Sequence, residues 1–397
     1  MKSDKTTPNV PTLRFQEFTD PWTLMPLKKL LCFQNGINAD SAKYGKGVKF
    51  ISVSDILNNQ YITYDCIKGM IDIDKKTMER FLVEYGDILF QRSSETFEDI
   101  GRANVYLDKE HPATFGGFVI RGKKISEYNP MFFRYLLCTP NARKQTVRMG
   151  AGAQHYNIGQ DGLGKISLYF PTIQEQQKIA GFLSAIDDRI SVQNKIIEDL
   201  KVLKKELCNR VFSKGSAVRL GELIEEVTVR NKSNACDNVL SVSNKMGFIK
   251  QSEQFEDRTI ASENKSNYKV VTKGCFAYNP ARINVGSIAL LSSHSMGIIS
   301  PMYVCFKAKN VLDSTYLSFY YQSDFFAREL QKKLEGSVRQ CLTYENMREI
   351  IIPYVNIERQ RGIATTLNRF TMLIATEEKC LKALQKQKSY FLNAMFI

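Results

Sequence analysis

The chain has 397 residues, of which 43% are hydrophobic and 24% charged, so it can build two or three globular domains and is too apolar for a disordered chain. Its 55 Lys and Arg against 41 Asp and Glu leave a formal charge of +14, which favours a polyanionic partner. Nine scattered cysteines exclude a CxxC zinc ribbon, no apolar run is long enough for a membrane span, and the N-terminus lacks a secretory pattern; reduced thiols in a cytoplasm fit best.

The first segment, 1–172, reads as short β-type runs flanked by Gly and Asn. Lys43, Tyr44, Lys46 and Lys49 form an early basic stretch suited to phosphates. Ser52-Val53-Ser54 and Gly86–Phe90 are strand-like, and Gln91, Arg92, Ser93 and Ser94 follow the second of these. Ile100-Gly101 is a turn, Phe118–Ile120 a further strand, and Pro130–Leu137 a helix. Gln154, His155, Tyr156 and Asn157 make a second polar cluster beside Gly150 and Gly152. Gly159–Lys165 has the spacing of a phosphate-binding loop, but Ile166 stands where a magnesium-binding Ser or Thr is required, so it is read as a turn before the strand Ile166–Pro171.

The next segment, 173–215, repeats apolar residues in alternating steps of four and three: Ile179, Leu183, Ile186, Ile190, Ile197, Leu200, Leu207 and Val211, broken by Gln193 and Lys204. That period predicts one long coiled-coil helix, about 50–60 Å from end to end.

The third segment, 216–355, echoes the first. Ser241-Val242-Ser243 matches Ser52-Val53-Ser54, Gly274–Tyr278 matches Gly86–Phe90, Val285-Gly286 matches Ile100-Gly101, and Tyr303-Val304-Cys305 resembles Phe118–Ile120. A helical stretch follows at Thr315–Tyr321. Asn279, Arg282 and Asn284 follow the 274–278 strand, as Gln91–Ser94 do in the first copy, and Arg339 and Gln340 lie just after Gly336. Asn279-Pro280-Ala281-Arg282 opens like the loop with which adenine methyltransferases grip a flipped base, but lacks its second proline and aromatic residue. His111, His155 and His294 have no partner at metal-ligand spacing, and Asp257 with Glu263-Asn264-Lys265 falls in a polar loop. No catalytic centre and no metal site is expected.

The last segment, 356–397, repeats the long helix 184 positions on: Ile363, Leu367, Phe370, Ile374, Leu381, Leu384, Phe391 and Met395, broken by Glu377 and Lys388. Basic residues outnumber acidic ones in all four segments, so no single tail carries the charge. The expected architecture is α+β: two strand-rich mixed globular units alternating with two long helices, paired antiparallel about a pseudo-two-fold. The polar breaks suggest a register in which Lys204 faces Glu377 and Gln193 faces Lys388, with Ile190 beside Phe391 and Leu207 beside Ile374.

This order resembles the specificity subunit of type I restriction–modification enzymes. The resemblance rests on Val10–Phe15 with Trp22, on Gly86-Asp87-Ile88-Leu89 with Gly101, on Gly152 and Gln154 ahead of Ile166–Pro171, and on the helix start Glu175-Gln176-Gln177. The second copy departs from it in having Glu358-Arg359-Gln360-Arg361 at the helix start and Cys275 where an acid is usual. The resemblance implies two target-recognition domains (1–172 and 216–355), each reading one half of a split site in double-stranded DNA, and two conserved helices (173–215 and 356–397) acting as spacer and dock. It implies two modification subunits, which methylate adenine with S-adenosylmethionine, and two restriction subunits, which use ATP and Mg²⁺; this chain itself would carry no cofactor. Base contacts are expected from Gln91–Ser94, Gln154–Asn157, Asn279, Arg282, Asn284, Arg339 and Gln340, and phosphate contacts from Lys43 and Lys46. The rival readings are a coiled-coil protein-interaction scaffold without DNA specificity, and a fused methyltransferase or nuclease.

Overall fold

A computed structural model describes residues 9–152, 155–244, 246–251, 265–336 and 340–397. The chain forms two compact units. One comprises residues up to Gln193 together with Cys380–Ile397, and the other comprises Asn194–Lys379.

In the first unit, a four-stranded antiparallel sheet has the order Leu31–Asn35, Val119–Lys124, Ile88–Gln91, Ala103–Val105. A second, three-stranded sheet has Tyr44–Ile51 at its centre, between Met70–Ile71 and Thr114–Phe115; the last of these pairs in parallel. The second unit repeats both. Its four-stranded sheet runs Ile224–Glu226, Val304–Ala308, Cys275–Tyr278, Ile288–Leu290. Its other sheet holds Val239–Ser243 against Gly247–Lys250 and, in parallel, against Met296–Ile299, with Lys269–Thr272 added outside. The Ile88–Gln91 and Cys275–Tyr278 strands are buried throughout, which is why they read as unbroken apolar runs rather than alternating ones.

The fold is thus a two-domain repeat of mixed helix and sheet with two long helices, Ile173–Val211 and Ile357–Ala394. Each helix starts by the same device. Thr172 Oγ1 accepts from Glu175 N, and Asn356 Oδ1 accepts from Arg359 N, so both N-termini are capped. One turn in, a buried glutamine locks the helix to its unit. Gln176 accepts from Asn129 N and donates to Pro171 O; Gln360 accepts from Asp313 N and donates to Val355 O and Val311 O. Asn129 and Asp313 are themselves the N-caps of the helices Pro130–Leu137 and Ser314–Tyr320, so one amide fixes two helix starts. In the first unit Arg14 also clamps the buried Glu175 with two hydrogen bonds of 2.7 Å, and Leu13 N donates to Ala394 O, closing the N-terminal segment onto the end of the last helix.

The helix segments run antiparallel within each unit, but in a different register from the expected one. In the first unit Phe182 meets Phe391 with ring centres 4.8 Å apart, and Lys388 Nζ lies 2.5 Å from Asp187 Oδ1, where a place facing Gln193 was expected. In the second, Leu207 and Val211 line one cleft with Ile363 and Leu367, where Leu207 beside Ile374 was expected; the 2.7 Å Lys201–Glu378 ion pair lies two residues from the expected register and is reached by the long lysine arm. Lys204 sits over the Phe319 ring, 5.2 Å from its centre. The shift is about one heptad. Such a slide returns apolar positions to apolar positions, so the seam does not oppose it; the polar groups decide. Asp187 neutralises the half-buried Lys388, which a glutamine amide could not do, and accepts from Tyr135 Oη at 2.8 Å.

Candidate nucleic-acid interface

In the first unit the structure joins two of the polar clusters that lie far apart in sequence. Ser93–Ser94 pairs antiparallel with Tyr156–Asn157, and Ile158 N donates to Arg92 O at 3.0 Å. Ser93 Oγ donates to Asn157 Oδ1 at 2.5 Å. His155 and Asn157 are exposed, Arg92, Ser93 and Tyr156 half-buried. Gln91 and Ser94 differ from the expectation of base contacts: both are buried. Gln91 ends an interior strand rather than opening a loop, and its Nε2 donates to Ser93 O. Ser94 Oγ accepts from Thr96 N. Arg92 Nη1 donates to Gly117 O, so this guanidinium braces a neighbouring turn.

The second unit uses the same frame. Leu342 N donates to Pro280 O at 3.1 Å, the counterpart of the Ile158–Arg92 bond, which brings the segment holding Gln340 to the Asn279–Arg282 loop. The bridge Glu335–Cys341 likewise repeats Ala151–Asn157, with Gly336 and Gly152 both at positive φ between them. Asn279 Oδ1 accepts from Ala281 N and shapes the loop, leaving Arg282 and Asn284 exposed. Gln340 is exposed too. Gln154 and Arg339 lie outside the described residues, as do Asp257, Glu263 and Asn264.

Beside each loop pair lies a cleft. In the first unit it is lined by Asn38, Ser52, Ser54, Ser93 and Phe118 among others; in the second by Ser243, Asn244, Asn279, Arg282 and Met302 among others. Asn38, Ser54, Asn244 and the two apolar tips escaped the sequence reading. The matching Ser-x-Ser runs were the available signal, since a repeated polar triplet survives where its surroundings have changed. Lys43 and Lys46 are exposed near Tyr44, and Lys46 pairs with Asp72 at 3.2 Å, a surface contact that a phosphate could displace. Lys49 is committed to Ile67 O and the face of Tyr64.

The strand beneath each loop is anchored differently in the two units. Burial pushes the Asp87 carboxyl up, while N–H donors from Lys124 and Glu84 and the nearby Arg121 oppose the shift. The second unit has Cys275 and Cys305 at the equivalent places; Thr272 N points at Cys275 Sγ as Glu84 N does at Asp87, and burial pushes the Cys305 thiol up to about 12. Gly159–Lys165 is not a phosphate loop: Gln160–Lys165 is a short helix with Leu163 and Gly164 buried. Among the described residues no cluster of His, Cys, Asp and Glu could hold a metal ion, and no helix is long and apolar enough to cross a membrane.

Residues 20–202 and again 218–386 match the type I restriction modification DNA specificity domain. The chain belongs to that family. The MjaVIII type I restriction enzyme specificity subunit of Methanocaldococcus jannaschii is 24% identical, over 90% of this chain and 90% of its own length. The MjaX chain of the same organism is 24% identical, over 96% and 93%. Among solved structures, a type I restriction–modification S subunit from M. genitalium shares the fold at a TM-score of 0.58 and 14% identity, covering 98% of this chain and 99% of its own. A chain from a structure addressing complex assembly and conformational transition of the type I system aligns at 0.56 and 13% identity, over 94% and 96%. The specificity family thus spans both halves of the repeat.

Proposed function

We propose that this specificity subunit binds a split, asymmetric site in double-stranded DNA, one half through residues 1–172 and the other through residues 216–355, and docks two modification subunits on its long helices. The observation that carries the reading is the repeated cleft: one backbone frame, two different sets of polar side chains. A shared frame presents the same surface to two DNA segments; different side chains read different bases. Arg282, Asn284 and Gln340 in the second unit, and Asn157 and His155 in the first, are the exposed candidates for base edges, with Lys43 and Lys46 on phosphates. Gln154 and Arg339 stay candidates by sequence alone.

Docking is supported by apolar residues left exposed on the helices, among them Val202, Leu203, Met372 and Leu373. Methylation with S-adenosylmethionine belongs to the modification subunits, and ATP- and Mg²⁺-dependent restriction to two further subunits, all in the cytoplasm. The chain supplies recognition and no catalysis. A direct test is methyl transfer to DNA by the purified chain alone and after mixing with its modification subunit. Transfer is expected only in the mixture, and sequence-selective binding should fall steeply as salt rises. Methylation by the chain alone, or a mixture that binds every duplex equally, would contradict the reading.

A further inference from the structure

Both units carry one large apolar side chain at the same point of the cleft rim. The parallel pairing of Ile51 with Phe115 in the first unit corresponds to that of Leu240 with Ile299 in the second. Each pairing leads into a tight turn. Val119 N donates to Gly116 O at 2.8 Å, and Tyr303 N to Ser300 O at 3.1 Å. The third residue of the first turn is Phe118, 69% exposed, and of the second Met302, 63% exposed. Each lines its cleft together with the Ser-x-Ser run of its unit.

The turns are rigid mounts. A Cβ at Gly117 would meet the side-chain amide of Asn38, so any other residue there has to displace that exposed side chain, and Arg92 holds the turn through Gly117 O and Phe118 O. Pro301 fixes the backbone at the corresponding place in the second. The polar residues around the two tips differ, whereas the exposed apolar bulk is common. A side chain shared by two modules with different reading residues serves a task common to both half-sites.

We infer that Phe118 and Met302 are wedges that insert between stacked bases, one in each half of the DNA site. An apolar side chain entering a base step gains burial, unstacks that step and bends the duplex around the protein. Wetted on a free surface, the same bulk brings nothing. The inference rests on the DNA reading proposed above and adds a deformation step to it.

The test uses the full chain assembled with its modification subunits, on the duplex found by methylation mapping. 2-Aminopurine is placed in turn at positions of each half-site other than the methylated adenine. The unaltered complex should raise fluorescence at one step in each half. Phe118→Ala should remove the rise in the half read by the first unit alone, Met302→Ala in the other alone, each weakening binding roughly 10-fold. Phe118→Met, which keeps apolar bulk, should retain both the signal and the affinity. Unchanged affinity in Phe118→Ala would overturn the inference. So would weaker binding with the fluorescence pattern intact, as a thymine-methyl contact would give, or loss of the modification subunits before DNA is added. If the unaltered complex binds no site selectively, it is the DNA reading that fails.

Discussion

Asp87 and Arg121 are two buried charged side chains of the first unit that feel each other's charge, and the repeat itself shows what can replace them. Arg121 donates to Leu82 O and Gln34 Oε1, while desolvation lowers its pKa. The second unit manages the same strand position with two buried thiols. Removing one charge leaves the other buried without its counter-charge, which is destabilising, whereas removing both together takes that mismatch away. Asp87→Cys alone should therefore lower the urea midpoint sharply, and Asp87→Cys with Arg121→Cys should recover most of the loss; additive losses would refute this. The two seam lysines differ for the same reason. Lys388→Met leaves the buried Asp187 without its cation and should destabilise the fold. Lys204→Met removes an ammonium whose pKa burial already lowers and should hold or raise stability. Chemical denaturation of the two variants side by side compares them directly; equal losses would contradict the assignment.

The long helices show what could and could not be read from sequence. Their existence and extent followed from a period kept over more than four heptads, and their duplication was visible because that period leaves few ways to vary. Their register was not legible, because a slide of one heptad exchanges apolar residues for apolar residues. Tyr135, which favours the observed register through Asp187, sits on another helix and carries no mark in the heptad pattern. The loops gave a mixed result for a similar reason. Gln91 and Asn157 look alike as polar residues beside strands, but only pairing across the chain buries one and exposes the other. With the exposed Cys32, Cys138 and Cys380 changed to serine, cysteines at Phe182 and Phe391 should form a disulfide on oxidation, while cysteines at Ile190 and Phe391 should not. The reverse pattern, read on a non-reducing gel, would restore the register suggested by the polar breaks. Locking by Gln360 is open to a parallel check: Gln360→Ala forfeits three hydrogen bonds at a buried site and should cost about 2–3 kcal/mol in denaturant unfolding.

At the scale of the whole chain, the repeat presents one frame twice, and the proposed reading makes each copy the reader of one half-site. The two units keep the same sheets, the same glutamine lock and the same loop-joining hydrogen bonds, and they differ in the side chains around their clefts. Two units that share a frame but differ there should recognise unlike half-sites, and each should be exchangeable without disturbing the other. The most direct measurement is the methylome of a host carrying the modification subunit with either this chain or a version in which residues 23–150 come from a homologous specificity subunit. Modular reading predicts a two-part asymmetric motif in both hosts, with one half changed and the other retained base for base. A motif in which both halves change, or one that is a palindrome from the outset, would contradict it.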